Sequence, residues 1–128
     1  MRLLLDTHVA LWAIADSRAM PEEARLLILS AANDVYVSAA SIWEIAIKHA
    51  LGRRSMPVSA RDAKEYFEEA GYLLLPVTAE HAVFVEELPP HHRDPFDRLL
   101  VAQAFSEPMR LVTHDRVVAK YSATTVLV

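Results

Sequence analysis

Met1-Arg2-Leu3-Leu4-Leu5-Asp6-Thr7-His8 is the stretch that decides how this chain is read. Three successive leucines leave no polar face, as expected of a strand buried on both sides in an open α/β sheet. The run stops at a carboxylate, and in such sheets ligands gather beyond the carboxyl ends of the strands. Asp6 therefore has two readings. It caps the helix that follows, residues 7–14, where aspartate is a preferred residue, or it belongs to a site on that edge. Whether other acids reach the same edge decides between them.

Outward from this strand, the pattern alternates. A helix begins near Pro21, with Glu22 and Glu23 in its first turn in keeping with the helix dipole. Val35-Tyr36-Val37 reads as a second buried strand, and a long helical pattern, residues 39–51, closes at Gly52. Residues 60–70 form a charged amphipathic helix ending at Gly71, and residues 72–77 a third strand. Thr78 caps a helix through Leu88, and Pro89-Pro90-His91-His92-Arg93 is a loop. Pro95 opens an almost wholly apolar helix to Phe105. Residues 109–113 make a fourth strand, 116–120 a short helical turn and 124–128 a last strand. Strands alternating with helices imply one α/β domain over residues 1–128, with a parallel sheet of four to five strands between two helical layers.

Three further acids are predicted on the edge where Asp6 lies. Glu44 sits among Ile42, Trp43, Ile45, Ala46 and Ile47, where a carboxylate calls for a reason. The structural reasons are a capping box, Ser41-Ile42-Trp43-Glu44, or an i, i+4 pair with Lys48. A helix starting at Ser38 weakens both by making Glu44 interior. Asp94, followed by Pro95, suits a helix cap. Asp97, in the first turn of the same helix, shares its face with Leu100, Val101 and Ala104, so it points inward. An inward carboxylate without a partner is costly to desolvate, which makes a cation a natural companion. Asp115, directly after the fourth strand, repeats the position of Asp6. Four carboxylates meeting at one edge would raise one another's pKa unless a cation neutralised them. Oxygen donors in a chain with no cysteine suit Mg²⁺ or Mn²⁺ better than zinc.

Other polar residues carry weaker signals. The pair His91-His92 has no clearly spaced ligand partner and reads as solvent-exposed loop. Arg53, Arg54, Arg98 and Arg116 could engage nucleic-acid phosphates or pair with nearby acids. Composition narrows the classes. A net charge of −4 and a pI near 5.8 argue against holding nucleic acid by bulk attraction, yet not against a nuclease whose acids grip cations. A hydrophobic fraction of 53% hints at apolar surface covered by a partner or by self-association. No apolar run reaches the roughly 20 residues of a membrane-spanning helix, and Asp6 interrupts the first one, so a cytoplasmic protein is expected.

Taken together, LLLDTH, SAASIWEIAIK, HHRDPFDRLLVAQA and LVTHD resemble the PIN-domain ribonucleases, and within them the VapC-type toxins of bacterial toxin-antitoxin pairs. The resemblance runs over essentially the whole chain. It implies an acidic quartet of Asp6, Glu44, Asp97 and Asp115, with Asp94 as an accessory acid and Thr113 as a hydroxyl beside the site. It further implies Mg²⁺- or Mn²⁺-dependent cleavage of RNA, a homodimer, and inhibition by a cognate VapB-type antitoxin. Two competing folds fit less well. A haloacid dehalogenase-like phosphatase expects a second aspartate where this chain has His8, and a receiver domain expects an acid after the third strand, which ends at Pro76-Val77-Thr78. A non-catalytic interaction module on the same scaffold is the third alternative.

Overall fold

The structure, a computed structural model, describes residues 1–128. Five strands form one parallel sheet: β1 (Arg2–Leu5), β2 (Asp34–Ser38), β3 (Leu73–Leu75), β4 (Arg110–Thr113) and β5 (Val126–Leu127). Their order is β3-β2-β1-β4-β5, so the strand that opens the sequence lies at the centre. Seven helices connect them: α1 (Thr7–Ala15), α2 (Glu22–Leu29), α3 (Ala39–Ala50), α4 (Ala60–Glu69), α5 (Ala79–Phe84), α6 (Pro95–Ser106) and α7 (Arg116–Ala119). The chain has the expected three-layer α/β/α architecture.

The leucine run explains the layering. Successive side chains of a strand face opposite ways, and Leu3, Leu4 and Leu5 are all fully buried. Leu3 and Leu5 join Val9, Ala24, Ile28, Ile45 and Phe67 in one core, under α1, α2 and α4. Leu4 joins Leu100, Val101, Leu111 and Val118 in the other, under α6 and α7. Burying a leucine side chain contributes about 1.5–3 kcal/mol, so β1 alone anchors both layers.

Several boundaries differ from expectation, each for a local reason. The strand expected over 72–77 ends at Leu75, because Pro76 has no N–H to give to the ladder. The helix expected through Leu88 stops at Phe84 and tightens into a single 3₁₀ turn, Val85–Glu87. Leu88 is already extended ahead of Pro89, where the ring disfavours helical backbone. The last strand is only two residues long, at the sheet edge. Gly52 and Gly71, with φ of 70° and 85°, follow α3 and α4 in the left-handed conformation that lets a helix end. No helix is long and apolar enough to cross a membrane.

Candidate active site

Asp6, Asp94, Asp97 and Asp115 lie just after a strand or in the first turn of a helix. Asp6 ends β1 and caps α1, its Oδ1 accepting a hydrogen bond from Val9 N–H at 2.9 Å. Asp115 follows β4 by one residue and caps α7, accepting from Val117 N–H at 2.8 Å. Asp94 caps α6 and accepts from Phe96 and Asp97 N–H. Capping and membership of a cluster are thus compatible: the same local geometry that satisfies a helix N-terminus turns the carboxylate towards the strand ends.

Glu44 is different. α3 is capped by Ser38, whose hydroxyl accepts from Ala40 N–H, so the Ser41 capping box does not form. Glu44 is interior to the helix and almost completely buried. Its Oε1 accepts from the Thr7 hydroxyl at 2.7 Å, and its Oε2 pairs with Lys48 one turn on. Thr7 Oγ1 also lies 2.9 Å from Ser41 Oγ. One hydroxyl has one hydrogen; with that directed to the carboxylate, the Ser41 hydroxyl is the donor in the second bond.

Asp97 is where these acids meet electrostatically. Burial first, then the charges of Asp94, Asp6 and Glu44, push its pKa up to about 7, against a partial counter-pull from His92. Asp6 is also raised, by burial above all, with the Thr113 hydroxyl and Val9 N–H opposing. The expectation of a raised pKa fails at Asp115. Burial pushes it up, but hydrogen bonds from Val117, His92 and Val118 outweigh that and hold it below the usual carboxylate range.

Thr113 is fully buried at the end of β4, its hydroxyl donating to Asp6 Oδ2 and accepting from Asp115 N–H at 3.0 Å. Asp6 and Asp115 line one cavity of about 320 Å³ with His8, Trp12 and His114. Ligand atoms of His92, Asp97 and Asp115 lie within 4.8 Å of one another, close enough to share a metal ion.

Residues 3–123 match the PIN domain family. The chain belongs to that family. Among curated proteins none matches it. Solved structures similar to this PIN domain share its fold at low identity. The VapBC2 complex of Rickettsia felis, bound to a DNA fragment from its promoter, superposes with a TM-score of 0.69 at 17% identity, over 100% of this chain and 98% of that one. FitAcB of Neisseria gonorrhoeae gives 0.63 at 22% identity, over 98% and 96% of the two chains. The PIN domain endonuclease Utp24 gives 0.54 at 16%, over 94% and 75%.

Two expectations about single residues of this PIN domain are corrected. His92 is not a solvated loop residue: only 22% of its side chain is exposed, and Nε2 lies 3.1 Å from Asp115 and 3.3 Å from Asp97. Its Nδ1 accepts from Asp94 N–H at 3.0 Å, which leaves the ring hydrogen on Nε2, facing the two carboxylates. In this tautomer His92 is a donor to the acids, and a metal ion would draw on carboxylate oxygens alone. Arg98 pairs with no acid, and its donors are taken up within the fold. Its guanidinium donates to the carbonyls of Val85, Leu88, Pro89 and His92 and to the Tyr121 hydroxyl, holding the 85–92 segment against α6. Arg53, Arg54 and Arg116 are exposed. Lys48, weighed in the sequence only as a partner for Glu44, places an ammonium at the base of the acidic cluster.

Proposed function

We propose that this PIN domain is a divalent-metal-dependent endoribonuclease and the toxin of a VapBC-type toxin-antitoxin pair. The observation that carries the reading is the meeting of Asp6, Glu44 and Asp94 at Asp97, where burial first and then the charges of these acids raise the Asp97 pKa to about 7. Without a cation, such an arrangement keeps a proton that a carboxylate otherwise loses; with one, all the acids ionise.

The residues fit Mg²⁺ or Mn²⁺. The donor set is carboxylate oxygen with no thiolate; Asp97 and Asp115 oxygens lie within 4.8 Å of each other, and the charges of Asp6 and Glu44 act on Asp97. When bound, a divalent ion supplies charge neutralisation and the activation of water for in-line attack on a phosphodiester. Asp6 and Asp97 would hold it, with Glu44 and Asp115 as further ligands. Thr7 and Lys48 fix Glu44, Thr113 fixes Asp6, and Asp94 secures the turn that carries Asp97. Arg53, Arg54 and Arg116 remain as cations for RNA phosphates, and Arg98 is reassigned to the fold.

A toxin role is supported by the fold it shares with VapBC2 and FitAcB, and it brings a VapB-type antitoxin and a homodimer with it. Exposed Trp43, Ile47 and Leu51, spaced four apart on α3 and its cap, agree with a surface covered in an assembly. The test is cleavage of cellular RNA by the antitoxin-free protein in Mg²⁺ or Mn²⁺. Cleavage should vanish in EDTA and in Asp6→Asn and Asp97→Asn, each with an unchanged circular dichroism spectrum. RNA cut equally well by both variants would refute the quartet. A folded protein that cuts nothing in either metal would point instead to the non-catalytic interaction module.

A further inference from the structure

We infer that the cavity beside Asp6 and Asp115 is a nucleobase subsite, in which an unpaired base next to the scissile phosphate stacks on Trp12. The inference rests on the ribonuclease reading and adds to it a place for the substrate's base. Of the five residues lining this cavity of about 320 Å³, two are acids of the cluster and the other three, His8, Trp12 and His114, present rings. His8 and Trp12 are one turn apart on α1 and share its face, with ring centroids 6.5 Å apart. His114, from the turn after β4, meets Trp12 edge-on at 5.3 Å. Elements remote in sequence thus build one aromatic corner against the acids.

The corner is preorganised. Trp12 is half-buried, with one side packed on the core beneath α1. His114 donates from Nδ1 to the Val128 carbonyl at 2.6 Å, which orients the ring and leaves Nε2 as an acceptor. Beyond His8 and Trp12 lies a second, mostly apolar cavity of about 300 Å³, with Leu11, Met56 and Tyr66 in its wall. The ligand chemistry follows from these walls. A phosphate is repelled by Asp6 and Asp115 unless a cation intervenes, whereas a base is neutral, offers a π-face, and carries N–H groups for the His114 acceptor. Single-stranded RNA is commonly held by bases splayed onto aromatic or histidine side chains.

The chain has two tryptophans, Trp12 and Trp43. Trp43 is exposed, so Trp43→Phe leaves a folded protein whose emission reports on Trp12 alone. That variant is mixed in Mg²⁺ with hexa-adenylate or with an abasic ribose-phosphate hexamer, and fluorescence is read in stopped flow. Hexa-adenylate should quench Trp12 and bind roughly 5- to 150-fold more tightly than the abasic chain, the range for one base stacked on an aromatic ring. Equal affinity for the two chains, or binding of hexa-adenylate with Trp12 emission unchanged, overturns the subsite. Cleavage of cellular RNA by the unsubstituted protein is followed in parallel. Cleavage with an unresponsive Trp12 sinks the subsite alone, whereas absence of both binding and cleavage sinks the ribonuclease reading and the subsite with it.

Discussion

Thr7 and Glu44 belong to different helices, yet the hydroxyl of one donates to the buried carboxylate of the other at 2.7 Å. The bond joins the first turn of α1 to the interior of α3 and, with the Lys48 ammonium on Oε2, fixes the orientation of the Glu44 carboxylate. Thr7→Val keeps the shape and removes the donor. Groups that orient a metal ligand typically contribute 10- to 100-fold in metal affinity, so Mg²⁺ binding should weaken by about that factor while Thr7→Ser stays near the parent. Calorimetric titration of the three proteins checks it. An unchanged affinity in Thr7→Val would mean that Glu44 does not hold the ion.

Asp97 makes metal binding a proton-releasing event. In the folded, metal-free protein it ionises near pH 7, so below that an entering cation must displace a proton, and Mg²⁺ affinity should rise with pH until it levels off above about 7. The same shift has a consequence for stability. Unfolded, the group ionises near its ordinary value of 3.8, so between there and about 7 the native state holds a proton that the unfolded chain has lost. Stability of the metal-free protein therefore falls as pH rises through that window and flattens above it. Thermal denaturation in EDTA should show the fall. In Asp97→Asn it should be smaller, the remainder coming from Asp6, whose pKa is raised in the same direction. His92→Ala removes a group that lowers the Asp97 pKa, so its binding midpoint should move to higher pH.

How far the sequence could be read depended on whether a signal was local. The buried leucines before Asp6, the cap-and-proline pair at Asp94-Pro95 and the inward face of α6 are patterns within a few residues, and they placed the sheet edge and its acids. Glu44 stood out as a carboxylate in an apolar run for the same reason. His92 could not be found this way. It reaches Asp97 and Asp115 because its loop is folded back, with its own N–H donating to the hydroxyl of Tyr121, 29 residues away. Arg98 was ambiguous for a like reason: its acceptors are carbonyls, which every residue carries and no composition reveals. Thr7 stood in the opening motif but reads as an ordinary helix residue until α3 is packed against it.

Arg98 is expected to affect stability and not RNA affinity. Lysine keeps its charge but not the planar fork that reaches four carbonyls and the Tyr121 hydroxyl. Arg98→Lys should cost about 1.5–3 kcal/mol, the range for a hydrogen bond involving a charged group, read as a lower denaturant midpoint. A phosphate contact would instead reduce the salt dependence of RNA binding, and that dependence should match the parent.

Thr113 links the two strand-end acids through one buried hydroxyl, which donates to Asp6 and accepts from Asp115 N–H. Thr113→Val leaves the Asp115 amide without that acceptor and deprives Asp6 of the strongest influence opposing its burial. Asp6 should then keep its proton to higher pH. At neutral pH, Mg²⁺-dependent cleavage should drop about 10- to 100-fold, as for other groups that orient a ligand, and recover in part as the pH is raised. Thr113→Ser retains the hydroxyl and should retain the parent's pH profile, so the pair separates a hydrogen-bonding role from simple packing. A valine variant whose rate is lowered equally at every pH would show that Thr113 acts by shape alone and not through the ionisation of Asp6.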